Sequence, residues 1–170
     1  MPKIIKNIRE QLLYEAKKQL IEVGYKNTTI RSVAGACGVA VGTVYNYFKS
    51  KDYLIASFIL NDWRDCMESI SAQPKENRRY YLEFIHLSLI KFSYQYSSLF
   101  NDEAAKQAFS LAFTERHLQL RSQLAALILP ICPMDDAFLA EYVAEAILTW
   151  TMAGKSFNDI YSLLPEIIKK

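Results

Sequence analysis

TTIRSVAGACGVAVGTVYNYFKSKDYL, residues 28–54, holds two short helical patterns separated by a glycine turn. From Thr29 to Ala36 the apolar residues Ile30, Val33 and Ala34 fall on one side. Cys37-Gly38-Val39 then interrupts, and a second pattern runs from Val41 to Tyr47. Two brief helices meeting across a tight turn form a helix-turn-helix. Ala34 is small enough for the second helix to cross close by, and Gly38 can take the positive φ such a turn requires. Phe48 and Leu54 seal the far side.

Within the second helix, Val44 and Phe48 lie four apart and must face the core. Gly42, Thr43, Asn46 and Tyr47 are left on the opposite arc, the face that would meet DNA. Gly42 lets the backbone approach a groove, Thr43 offers a methyl to thymine or a hydroxyl to phosphate, and Asn46 can pair with adenine or reach a phosphate. Thr28 or Thr29 caps the first of the two helices. Periodicity alone leaves Val41 and Tyr45 open between packing and base contact.

The order Gly24-Tyr25, Thr28-Thr29, Val33-Ala34, Gly38-Val39, Gly42-Thr43-Val44-Tyr45, Phe48, Lys51 and Leu54 resembles the N-terminal module of the tetracycline-repressor (TetR) family of bacterial transcription regulators. The match covers nearly the first third of the chain. The resemblance implies Val41, Gly42 and Tyr45 near bases, and Thr43, Tyr47 and Lys51 near phosphates. Arg31, with Thr29 at the start of the same helix, matches a position from which the family reaches the duplex. It further implies a homodimer on a double-stranded palindromic operator, released by a small hydrophobic effector, with repression the usual outcome. Ala40 departs from the family's Ser-like cap, and Gly35 within the first short helix costs about 1 kcal/mol relative to Ala.

Composition agrees with a helical, soluble, cytoplasmic protein. Of 170 residues, 51% are hydrophobic and 22% charged, with five Gly and five Pro. No apolar run approaches the roughly 20 residues that span a bilayer, and no secretory leader is expected from the start MPKIIKNIREQ. Cys37, Cys66 and Cys132 are far apart, without the paired spacing of a disulfide framework or a zinc module, and read as small buried hydrophobes, with a thiol sensor at Cys66 or Cys132 as the alternative. The charge is uneven: residues 1–52 carry nine Lys/Arg against four acids, net +5, and the remainder is −3 out of a total of +2. A basic N-terminal end suits a polyanionic partner. Two histidines outside metal-binding spacing, no phosphate loop and no nucleophile motif argue against an enzyme, with no catalytic residue, metal or cofactor expected. A helical protein-interaction adaptor that does not use its helix-turn-helix on DNA is the alternative.

Working outward, Ile4 to Val23 is a helical pattern ended by Gly24, so residues 1–49 are expected to form a three-helix DNA-binding domain. Residues 50–170 are expected to form a helical effector-binding and dimerisation domain, the whole chain being all-α with about nine helices. Ser50 caps a helix of about 20 residues that stops before Pro74, long enough to carry movement from one domain to the other. Separate helices are predicted over Glu103–Phe113 and Thr114–Leu129, and at the end over Ala137–Met152 and Ser156–Ile168, the last bent at Pro165. An apolar pocket with a few polar groups is expected from Trp63, Met67, Phe84, Ser88, Phe92, Phe109, Phe113, His117 and Trp150. The two final helices resemble in position the family's dimer-forming pair, with Ala140, Ala144, Leu148, Ile160, Leu163, Leu164 and Ile167 as contacts, their competing role being intramolecular core.

Overall fold

A computed structural model of the chain describes residues 7–169, with the side chains of 109–116 outside the description. The protein is all-α. Among the described residues there are ten α-helices: α1 (Ile8–Asn27), α2 (Ile30–Ala36), α3 (Val41–Tyr47), α4 (Lys51–Ser71), α5 (Arg78–Gln95), α6 (Ser97–Phe100), α7 (Glu103–Ile128), α8 (Ala137–Met152), α9 (Phe157–Leu163) and α10 (Glu166–Lys169). Two single 3-10 turns join α7 to α8.

The chain divides into two compact units. The first comprises the described residues up to Asp62 together with Gln95–Ser110. Its α1 buries Ile8, Leu12, Leu13, Ala16 and Leu20, the three-and-four spacing that puts apolar groups on one face, and packs on α2 and α6. Gly24 breaks the helical backbone with φ +79°, yet the chain resumes a final turn to Asn27, so α1 outlasts its predicted end at Val23. Thr29 and Ser32 start α2 with a reciprocal pair of side-chain to backbone bonds, each 3.0 Å, satisfying amides that the helix leaves open. Thr29 is therefore the cap. Thr28 is buried and donates its hydroxyl to the Gly24 carbonyl at 2.9 Å.

The turn from α2 to α3 is a Schellman motif: Val39 N–H donates to the Ala34 carbonyl and Gly38 N–H to the Gly35 carbonyl, at 3.0 and 3.1 Å. Both bonds depend on Gly38 at φ +65°, a region closed to most residues with a β-carbon. Ser50 accepts from Tyr53 N–H at 3.1 Å and opens α4. Phe58, Tyr96 and Leu99 are buried with Leu54 and Ile55 to complete this unit's core.

The second unit comprises Trp63–Tyr94 and the described residues from Leu111 onward. Its core is a cluster including Ile70, Tyr81, Leu82, Ile85, Leu89, Leu124, Ile128, Val143, Ile147, Phe157 and Ile160. Asp136 accepts from Leu139 N–H to start α8, and Ser156 from Asp159 N–H to start α9. The two segments predicted between Glu103 and Leu129 form one helix, α7, because neither Gly nor Pro interrupts them. Pro165 does more than bend the last helix: Leu164 turns to extended backbone, ψ 149°, separating α9 from α10, as the clash of a proline ring with the preceding residue demands. The connection before α8 holds two successive non-glycine residues at positive φ, Met134 (+55°) and Asp135 (+50°). No helix among the described residues is long and apolar enough to cross a membrane.

Candidate nucleic-acid interface

The seven residues of α3 are held by two anchors. Val44 and Phe48 are completely buried, and the Arg9 guanidinium lies 5.6 Å from the centre of the Phe48 ring. Full burial of a side chain the size of Phe48 contributes roughly 2–3 kcal/mol. The helix starts at Ala40, whose backbone has the extended geometry of a cap but whose side chain supplies no acceptor.

With Val44 turned inward, the rest of α3 faces outward. Gly42 and Asn46 are exposed and Thr43 is half-buried, and Tyr47 retains 43% of its surface. Val41 and Tyr45, which periodicity left undecided, are exposed too, Tyr45 at 53%. The outward face is therefore wider than the four-residue arc, and it presents two phenols where a groove-reading helix can use both ring faces and hydroxyls. A β-carbon placed on Gly42 would meet nothing within 4 Å, so no packing requirement of the chain explains a glycine there. Thr29 and Arg31 are exposed at the start of α2, with the Thr29 hydroxyl engaged in its cap.

Lys51 is more constrained than a solvent-reaching phosphate contact. It is half-buried, its ammonium donating to the Tyr25 carbonyl at 2.9 Å and lying 3.7 Å from the centre of the Tyr25 ring. Burial lowers its pKa, against the opposing pull of Asp52 and Asp102. The Tyr25 hydroxyl in turn donates to Asp52 at 2.6 Å. Lys51 thus pins the corner after Gly24 to the start of α4, and only its remaining N–H groups are available to a phosphate.

Of the expected effector residues, Phe109 falls in the first unit and the others in the second. Trp63 is buried, its indole N–H donating to Gln123 at 2.6 Å and its ring meeting the Phe92 edge at 5.2 Å. Met67, Phe84 and Phe92 pack partly buried against the core, and Ser88 is half-buried. His117 and Trp150 are exposed, with His117 3.2 Å from Glu145. Phe109 and Phe113 lie among the side chains outside the described residues. Gln123 was missed by sequence reasoning, since a glutamine on a helix of mixed polarity gives no signal of its partner.

The expected dimer contacts require correction. Ala140, Ala144, Leu148, Ile160 and Leu164 are all at most 3% exposed within the chain's own fold. They belong to the same buried cluster as Val143 and Ile147, where they fill the chain's own core. Leu163 (76%) and Ile167 are exposed, as are Phe138 (79%) and Tyr142 on the outer face of α8.

Residues 12–58 match the family model described as bacterial regulatory proteins, tetR family. The chain is similar to the HTH-type transcriptional repressor KstR2 of Mycolicibacterium smegmatis, with 35% identity over 57 residues that make up 34% of this chain and 27% of that protein. It is also similar to the fatty acid metabolism regulator protein of Bacillus subtilis (strain 168), 25% identical over 131 residues, 77% of this chain and 66% of the relative. Both matches fall short of two thirds of the relative's length. In fold it resembles the fatty acid degradation regulator FadR from Bacillus halodurans, with a TM-score of 0.62 at 18% identity, covering 95% of this chain and 96% of the other.

Proposed function

We propose that the chain is a transcriptional repressor of the tetR family, whose model its residues 12–58 match. It binds a palindromic operator as a homodimer and is released by a small hydrophobic effector. The observation that carries this reading is the outward face of α3, where Val41, Gly42, Tyr45, Asn46 and Tyr47 stay uncovered around a buried Val44. A helix of seven residues reads few base pairs. Two such helices, one turn of duplex or about 34–36 Å apart, read a palindrome.

In this reading Gly42 admits the backbone to the major groove, Asn46 and the two tyrosines contact bases or phosphates, and Arg31 adds a contact from α2. Lys51 acts on all duplexes alike, through its charge and through the Tyr25 corner it holds. The dimer forms through the exposed residues of α8 to α10, with Phe138 and Tyr142 joining Leu163 and Ile167. The effector binds in the second unit, beside Trp63 and Phe92. The Bacillus subtilis relative is named a fatty acid metabolism regulator, so an acyl chain is the first effector to test.

Titration of the purified protein with duplexes from beside its own gene tests the proposal. One palindromic duplex should bind in preference to scrambled sequence, with affinity falling by orders of magnitude between about 50 and 200 mM salt as phosphate contacts release counterions. Binding no tighter to any duplex than to scrambled DNA would defeat it. A helical adaptor would give that result, with salt-insensitive capture of a protein partner.

A further inference from the structure

Three donors from three parts of the chain converge on one carboxylate oxygen of Asp62. Lys17 Nζ on α1 donates at 2.6 Å, Gln95 Nε2 at the end of α5 at 2.5 Å, and the Tyr96 hydroxyl just beyond at 2.5 Å. All belong to the first unit. The Tyr96 ring is fully buried and stacks on Phe58 of α4, centroids 6.2 Å apart and planes 25° apart. Leu99 of α6 is buried too, and α6 packs on α1. At the far end of this segment Asp102 caps α7 by accepting from Ala105 N–H at 3.0 Å, and it lies close enough to Tyr25 and Lys51 to act on the pKa of both.

We propose that Asp62 is the positioning residue through which the segment Gln95–Ser110 sets the attitude of the helix-turn-helix, and hence operator affinity. The inference rests on the DNA-binding reading above. A partly exposed ion pair of this kind contributes little net stability, since desolvation offsets much of the attraction. What three donors on one oxygen do is fix register: each holds only when α1, α4 and the α5–α6 corner stand in one arrangement. α2 and α3 are carried on α1, so a change in that arrangement moves the outward face of α3. α5 ends in the hub and α7 begins a few residues beyond it, while the remainder of both helices lies in the second unit. An event that shifts either helix therefore reaches Asp62 along the chain itself.

The test uses the full chain and the duplex that wild-type protein selects from a random-sequence library. Lys17→Met and Tyr96→Phe each remove one donor, Tyr96→Phe without disturbing the stacked ring. Each should weaken operator binding about tenfold while the thermal midpoint moves by only a few degrees. The double variant should be no weaker than the worse single one, because both act through the same carboxylate. Val143→Ala, a core truncation in the second unit, should lower the midpoint more and leave affinity of the folded protein unchanged. Variants that lose thermal stability at wild-type affinity, or losses that multiply in the double variant, would overturn the proposal while leaving the DNA-binding reading intact. A wild-type protein that selects no duplex overturns both.

Discussion

Ala40 shows how much one atom can matter at a helix start. Its backbone is already extended, φ −68° and ψ 147°, while the amides of the first turn of α3 lack a side-chain acceptor. Ala40→Ser supplies one and should stabilise the protein by about 1 kcal/mol, read as a raised midpoint in urea at unchanged slope. His86 is the opposite case, a polar group inside the core. It is 3% exposed, its Nδ1 lies 2.7 Å from the Thr151 hydroxyl oxygen, and burial holds its pKa below the ordinary value, with Glu83 pulling weakly the other way. The unfolded chain binds a proton at this position more readily than the folded one. The stability due to a neutral His86 is therefore complete above about pH 6.5 and drains away as pH falls through that value toward the lower folded pKa. The thermal midpoint should drop between pH 7.5 and 5.5, and His86→Gln should flatten that slope. The three thiols are also pushed up by burial, which keeps them protonated and slow toward electrophiles at neutral pH.

Among the elements, α3 offers the sharpest separation of fold from function. Gly42→Ala puts a methyl into open space and improves helix propensity by up to about 1 kcal/mol. It should raise stability and yet weaken operator binding, because the methyl would stand between backbone and groove. A variant gaining stability at full affinity would show that the helix does not approach DNA at that point. Thr43→Ala and Asn46→Ala should change which duplex wins in a competition, where Lys51→Ala should weaken all of them alike. These helices were legible in the sequence because each carries its own signals: Val44 and Phe48 four apart, Gly38 at the turn, Thr29 and Ser50 before the first turns. Partnership between distant elements left no such trace. The Asp62 hub joins residues 45 positions apart in one bond and 33 and 34 in the other two, and nothing local to Asp62 marks it. Five of the seven expected dimer contacts are buried for a related reason: a stripe of Ala140, Ala144 and Leu148 fits an inward and an outward face equally well until the neighbours of α8 are known.

For the whole molecule, association is the property to measure. Phe138→Glu together with Leu163→Glu places charge on exposed surface and touches no core residue. Sedimentation should show the wild-type protein as a dimer and this variant as a monomer, with operator affinity reduced by at least about a hundredfold as the second half-site is lost. A variant still dimeric would move the interface elsewhere. A different consequence follows from the make-up of the first unit, which joins the residues up to Asp62 with a stretch that begins only at Gln95. A ribosome that has released the helix-turn-helix has not yet delivered Tyr96 and Leu99, so Phe58 and α1 wait with apolar surface uncovered while another 30 or so residues are made, a few seconds at about 5–20 residues per second. The helix-turn-helix unit is encoded first and completed late, and nascent chains from which residues up to 62 have left the ribosome while those from 95 have not should be the ones chaperones hold.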